Sequence, residues 1–382
     1  MKKMRLLTPG PTTIPEQVLS KFSEPIVHHR TSIFEKEFKE VQTLLQWLFE
    51  TKSLVLTLTA TGTGAMDAAV TNLFSPGDEV ITVNAGKFGE RWTKIAKHYG
   101  LVAHEIFVGR GLGLDIAVLK NFLLKHPQTK AVLFQASETS TGAMMPVKAI
   151  VDLCREKNIL SVCDGITAVG IFKLPMDEWG IDVLITGSQK ALMLPPGLSF
   201  IALSDLAWKA VALSKCPKFY FDLSRELKTQ THQQTAWTPA ISLIQGGVVA
   251  LRMLKEEGRE ALFKMHERLG NCTQAGVKAL GLEIFSMAPS PVLTTVKVPA
   301  SFSVDQGKKI QKIMQEKYGV IIMGGQDDLQ GKILRLSHFG YCDVFDIITG
   351  ISALELSLEE LGHPVQFGAG AGAVLKSFRE SS

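Results

Sequence analysis

At 382 residues, with 46% hydrophobic and 20% charged side chains, the chain exceeds one ordinary domain and can bury a large core. That composition excludes a disordered protein. The formal charge of +4, from 41 basic and 37 acidic side chains, is too small and too scattered to argue for nucleic-acid binding, while anionic small molecules stay open as partners.

Short apolar runs alternate with amphipathic ones along most of the chain, which predicts an α/β protein. The stripe Phe38, Val41, Leu44, Leu45, Leu48 and Phe49 predicts a helix over Phe34–Phe49. A strand at Leu54–Leu58 and a helix at Ala65–Leu73 follow. Further strands are expected at Glu79–Val83, Val102–Phe107, Ala131–Phe134, Leu160–Cys163, Val183–Ile185 and Phe200–Leu203, with helices such as Gly89–Tyr99 and Val147–Lys157 between them. Strands joined by helical crossovers imply a mostly parallel sheet covered on both faces. A long helix near Gly246–Glu257 leaves that sheet.

From about residue 256 the pattern changes. Val292–Val298, Ser303–Tyr318, Ile333–Leu336 and Val344–Leu361 read as strand, helix, strand and helix of a smaller α+β domain. The glycines from Gly368 to Gly372 read as a flexible bend before a short terminal helix. The expected division is an N-terminal arm (1–14), a large domain (15–255) and a small C-terminal domain (256–382).

Five cysteines, Cys154, Cys163, Cys216, Cys272 and Cys342, show neither a CxxC pair nor metal-ligand spacing. Reduced thiols in a cytoplasmic protein with no bound metal are expected. The basic start Met1-Lys2-Lys3-Met4-Arg5 meets Pro9-Gly10-Pro11 before any apolar stretch of signal-peptide length. No run of about 18 apolar residues marks a membrane span.

Ligands of parallel sheets sit beyond the carboxyl ends of the strands, so the segments after strands carry the chemistry. Thr61-Gly62-Thr63-Gly64 lies between a strand and a helix, where free N–H groups and the helix dipole favour a phosphate. A merely well-capped helix would look the same. Neither a Walker loop nor GxGxxG fits the spacing. Lys190, after the strand Val183–Ile185, can form a Schiff base if an apolar pocket lowers its amine pKa; a surface lysine is the plainer reading. Asp164, just past Leu160–Cys163, is costly to bury unless paired, and could otherwise cap the following segment.

These pieces in this order resemble the class V aminotransferases of pyridoxal-phosphate (PLP) fold type I, in the alanine–glyoxylate, serine–glyoxylate and serine–pyruvate group. The resemblance covers nearly the whole chain. It rests on Pro9-Gly10-Pro11, His29-Arg30-Thr31, Thr61-Gly62-Thr63-Gly64-Ala65-Met66, Glu138-Thr139-Ser140-Thr141-Gly142, Asp164, Ser188-Gln189-Lys190-Ala191-Leu192, Thr238-Pro239-Ala240 and Leu334-Arg335-Leu336-Ser337-His338.

It implies a pyridoxal 5'-phosphate enzyme in which Lys190 forms the Schiff base and later takes the α-proton, while Asp164 pairs with the pyridine nitrogen. Ile166 and Phe88 would lie on the two faces of the ring. Thr61, Gly62, Thr63 and Gln189 would hold the phosphate, and Thr139 would reach the ring hydroxyl. Arg335 would bind the substrate carboxylate, unless it is a surface ion pair, and Gly10 would line the entrance. Thr235 or Thr238 would reach the phosphate of a partner subunit, which implies a homodimer with shared sites. Gln135-Ala136-Ser137 and Trp237 depart from the pattern where relatives often carry His and Tyr, which leaves the substrate open.

The expected reaction moves an amino group from alanine, serine or aspartate to a 2-oxo acid such as glyoxylate or pyruvate. Two rivals remain. A cysteine desulfurase or other lyase would need a reactive cysteine before Arg335, and Val320–Leu334 has none. A non-catalytic subunit of a soluble hydrogenase-type complex would not need Lys190, Asp164 and Arg335.

Overall fold

A computed structural model describes residues 3–381, so the start at Met1-Lys2 lies outside the described residues. The central sheet has seven strands in the spatial order Leu56–Leu58, Ser199–Leu203, Val183–Gly187, Leu160–Asp164, Ala131–Gln135, Glu79–Asn84 and Val102–Phe107. Only Ser199–Leu203 runs against the others. The expected α/β architecture with a mostly parallel sheet is therefore present. Its central strands are buried along their whole length, as strands covered on both faces must be.

One core cluster lies on each face of the sheet. Phe34, Phe38, Leu45 and Phe49 from the helix Ser32–Phe49 pack on one face with Val132, Phe134 and Cys163. Met66, Ala69 and Val70 of the helix Gly62–Leu73 pack on the other with Leu133, Val162 and Ile185. The alternation along each strand decides which side chain goes to which face. A third cluster gathers the antiparallel strands Leu293–Lys297 and Ile333–Ser337 with the helices Arg259–Ala279, Val304–Tyr318 and Val344–Glu360.

The first strand, Arg5–Leu6, does not join the large sheet. It pairs in parallel with Val320–Ile321, and Leu7 is buried in the third cluster. From there the chain crosses to the large sheet, where the Thr12 N–H donates to the Gln189 carbonyl at 3.2 Å and the Thr12 hydroxyl to the Lys190 carbonyl at 3.0 Å.

The glycine-rich tail corrects one expectation. Ala369–Glu380 is a helix that contains Gly370 and Gly372. The Glu355 carboxylate accepts the N–H groups of Gly368 (3.0 Å) and Gly370 (2.8 Å), anchoring this helix start from a distant residue. Low intrinsic propensity is overridden by that capping and by packing on Arg259–Ala279.

Candidate active site

The strands ending at Asp164 and Gly187 are parallel neighbours, with Asp164 opposite Ile185, so Asp164 and the Lys190 loop meet at one carboxyl edge. Both side chains are buried in a cleft also lined by Thr61, Gly62, Thr63, Phe88, Thr139, Ile166 and Gln189. The residues expected at the cofactor from one chain are thus brought together, apart from those tied to a partner.

Burial drives the chemistry of this pair. It lowers the Lys190 amine to about 8, with the nearby Asp164 carboxylate acting the other way and the Arg335 and Arg91 guanidiniums adding to the fall. Burial likewise pushes the Asp164 carboxyl up to about 6, opposed by the Ile166 N–H that it accepts at 2.8 Å and by Arg91. Lys190 donates to the Pro9 carbonyl, which aims its amine into the cleft beneath the N-terminal strap.

Gly10 sits beside that amine with φ of +103°, and a Cβ there would lie 2.7–2.8 Å from Lys190 Cδ and Cε. A side chain at this position would displace the lysine, and its backbone conformation disfavours any L-residue. Gly10→Ala is expected to weaken PLP binding at least about tenfold while the fold persists. Cofactor titration followed by absorbance, with circular dichroism as the fold control, checks this; unchanged cofactor affinity would refute the steric argument.

The helix after Leu56–Leu58 begins at Gly62, three residues earlier than expected, so the Gly62 and Thr63 amides belong to its open first turn. Thr61 occupies the N-cap but its hydroxyl makes no capping bond. It is left facing the cleft, which removes the plain capping explanation. A Cβ at Gly62 would come within 2.9 Å of Ile166 Cγ1, so glycine allows the helix start and the Asp164 loop to meet. The buried Gln189 amide oxygen has no hydrogen-bond partner among the described residues.

Two residues carry more of the site than the sequence revealed. Glu138 is fully buried and accepts from the N–H groups of Phe88 (3.2 Å), Gly89 (2.9 Å) and Ser140 (3.1 Å), the Ser140 hydroxyl (2.5 Å) and the Gln135 amide (3.2 Å). It thereby caps the helix Lys87–His98 from another strand and fixes Phe88 at the cleft. Arg91, three residues after Phe88 and so on the same helix face, donates to the Thr63 hydroxyl at 2.8 Å and lies 5.1 Å from the Phe88 ring centroid. The spacing Phe88…Arg91 was the available signal.

Arg335 lies in the strand Ile333–Ser337 and is buried, not a surface ion pair. Its Nε donates to the Gly324 carbonyl at 2.7 Å and its Nη1 to the Thr139 carbonyl at 3.0 Å. Burial lowers the guanidinium to about 10, so it stays charged at neutral pH, and Nη2 has no acceptor among the described residues. Thr235 and Thr238 are elsewhere, around a small surface pocket with Tyr220, Phe221 and Trp237. The Thr235 hydroxyl donates to the Trp237 carbonyl at 2.6 Å, whereas Thr238 is exposed.

Against known proteins, the sequence profile described as Aminotransferase class-V matches residues 5–337. The chain belongs to the class-V aminotransferases. It is 38% identical over 375 residues, 97% of each chain, to the soluble hydrogenase 42 kDa subunit of Anabaena cylindrica. It is 30% identical to the L-aspartate–glyoxylate aminotransferase of Paracoccus denitrificans, covering 99% of this chain and 96% of that one. The crystal structure of ureidoglycine–glyoxylate aminotransferase from Bacillus subtilis superposes with a TM-score of 0.94 at 28% identity, covering 99% of both chains.

This aminotransferase is a PLP enzyme of fold type I. Its residues fit the cofactor on their own terms. An amine of lowered pKa, a buried carboxylate and an uncommitted threonine hydroxyl at an open helix start face one cleft.

Proposed function

We propose that the enzyme moves an amino group from a small amino acid, alanine, serine or aspartate, to a 2-oxo acid such as glyoxylate or pyruvate. The observation that carries this is Arg335: a buried, charged guanidinium with a free terminal nitrogen, near enough to Lys190 to act on its charge. Donor and acceptor share an α-carboxylate, the anion such a group binds best. The strap at Pro9–Gly10 crowds the Lys190 amine, which favours a short side chain.

When bound, PLP supplies the electron sink that makes a substrate α-carbon acidic. Lys190 would anchor it, and Asp164 would hold its ring nitrogen in the protonated form. Phe88 and Ile166 would pack against the ring, Thr139 would meet its hydroxyl, and Thr61, Gly62, Thr63 and Gln189 would hold its phosphate. Once free, the Lys190 amine takes the α-proton and returns it. Its lowered pKa leaves a workable neutral fraction near pH 8. The Pro9 carbonyl holds that amine in one direction between the two transfers.

The reading of the substrates is tested by adding single amino acids to the purified holoenzyme. Loss of visible absorbance with one of alanine, serine or aspartate, reversed by glyoxylate or pyruvate, is expected. Indifference to all three by an enzyme that holds PLP would overturn it. Arg335→Leu should lower kcat/KM roughly 10²-fold for both the amino and the oxo acid. An equal loss with an amine lacking a carboxylate would remove Arg335 from substrate binding.

We also propose a homodimer in which Thr238, exposed where Thr235 is committed, reaches the partner's phosphate site. Light scattering should give twice the chain mass, and Thr238→Ala should weaken PLP binding; a monomer with full affinity would contradict this. A cytoplasmic location is supported by five free cysteines, four of them buried, and recovery in an exported fraction would count against it. Among the described residues no helix is long and apolar enough to cross a membrane. We further propose a division into an N-terminal arm (1–14), a large domain (15–255) and a small domain (256–382), which proteolytic nicking near residue 256 would check.

No observation favours the lyase reading, and only the name of the Anabaena cylindrica relative points to a hydrogenase subunit. Burial pushes the Cys342 thiol up, which makes it a poor nucleophile. Among the described residues the cysteines form no group at metal-ligating distances.

A further inference from the structure

Away from the cleft, at the Val102–Phe107 edge of the large sheet, Glu79, His104 and His126 bring one carboxylate and two imidazoles together. Glu79 opens the strand Glu79–Asn84, and His104 stands on the neighbouring parallel strand opposite Ile81. Residues 79 and 81 share a face, so the Glu79 and His104 side chains project from the same side of the sheet. His126 ends the helix Ile116–Lys125 that covers this side. Its backbone is held on both flanks: its N–H donates to the Phe122 carbonyl, and its own carbonyl accepts from Thr129 N–H and hydroxyl.

The side chains are close. One potential donor atom from each lies within 4.8 Å of the other two, and His104 Nε2 is 2.9 Å from Glu79 Oε2. The two imidazole rings stack with centroids 3.6 Å apart and planes 18° from parallel. The His126 ring makes no hydrogen bond to another described residue. Lys130, whose N–H donates to the Glu79 carbonyl, sends its amine to Asp78 at 2.6 Å. Lys130 is thus engaged by Asp78 and not by the Glu79 carboxylate.

Two nitrogen donors and one carboxylate oxygen form the donor set of zinc and its neighbours, whereas magnesium and calcium prefer oxygen alone. Tetrahedral zinc needs its donors about 3.4 Å apart with their lone pairs converging, so the two stacked imidazoles must swing out of face-to-face contact to share one ion. The negative end of the helix Ile116–Lys125 points toward the group and favours a cation further.

We propose that Glu79, His104 and His126 form a binding site for a divalent transition metal, with Zn(II) the preferred ion and water in the open position. The bound ion ties the edge strand, its neighbour and the end of the covering helix together. It stands apart from the transamination chemistry.

The test is equilibrium dialysis of the untagged holoenzyme against a zinc salt, with thermal unfolding in zinc and after chelation. One zinc per chain at micromolar free metal is expected, with an unfolding temperature that rises in zinc and falls back on chelation. His126→Ala and, separately, His104→Gln should each lower zinc affinity at least about tenfold while cofactor absorbance and transamination rate hold. No uptake by the wild type, or uptake unchanged in both variants, would overturn the proposal.

Discussion

Lys190→Met is expected to lower transamination by at least about 10⁴-fold, because it removes the amine placed to take and return the α-proton. The same substitution should make the cofactor-free protein more stable at pH 7. In the folded chain the amine sits at about 8 instead of 10.5, so below pH 8 both folded and unfolded chains carry the proton and the folded state bears the full burial penalty. That penalty is about 3 kcal/mol and fades as pH rises from about 8 to 10.5, where the unfolded chain binds more protons than the native one. Methionine fills the space without the charge. Urea titrations of the two apoproteins at pH 7 and pH 10.5 should show a gap that closes with pH; a gap of the opposite sign would refute the burial argument.

Asp164→Asn should cut kcat by about 10³-fold, since an amide cannot hold a protonated ring nitrogen by charge. Apoprotein stability should move the other way. The carboxyl titrates at about 6 in the folded chain against 3.8 ordinarily, so the native state binds more protons between those values and loses stability as pH rises through them. Above pH 6 the ionised carboxylate costs about 3 kcal/mol, which asparagine avoids while still accepting the Ile166 N–H. The partial compensation by Lys190 reduces this gain, and Lys190→Met in the same chain should enlarge it. Denaturation of wild-type and variant apoproteins at pH 4 and pH 7.5, beside rates for the loaded enzymes, decides the matter. Equal stability at both pH values would show that Asp164 is solvated.

Much of this was readable from the chain because the chemistry is local. Asp164 and Lys190 each follow an apolar strand, and parallel neighbours bring such strand ends together without further information. The stripe over Phe34–Phe49 marks the helix Ser32–Phe49, and the expected helices Val147–Lys157 and Val344–Leu361 match Val147–Glu156 and Val344–Glu360 to one residue. What escaped depends on partners far along the chain. Lys87–His98 begins two residues before its expected start because Glu138, about fifty positions later, receives the Phe88 and Gly89 amides. The tail helix is anchored by Glu355, which no pattern within the glycines could announce. Arg91 gains its place in the site only from Thr63 and Phe88, which the fold sets beside it.

The crossing of the strap over Lys190 also orders events during synthesis. Arg5–Leu6 waits for Val320–Ile321, and Arg335 for its own strand to pair with Leu293–Lys297. A nascent chain can complete the seven-stranded sheet and present Lys190 more than a hundred residues before the roof over that lysine has anything to rest on. Contacts so distant in sequence form late. The shelter over Lys190 is therefore among the last parts of the molecule that can form, after the sheet that carries the lysine.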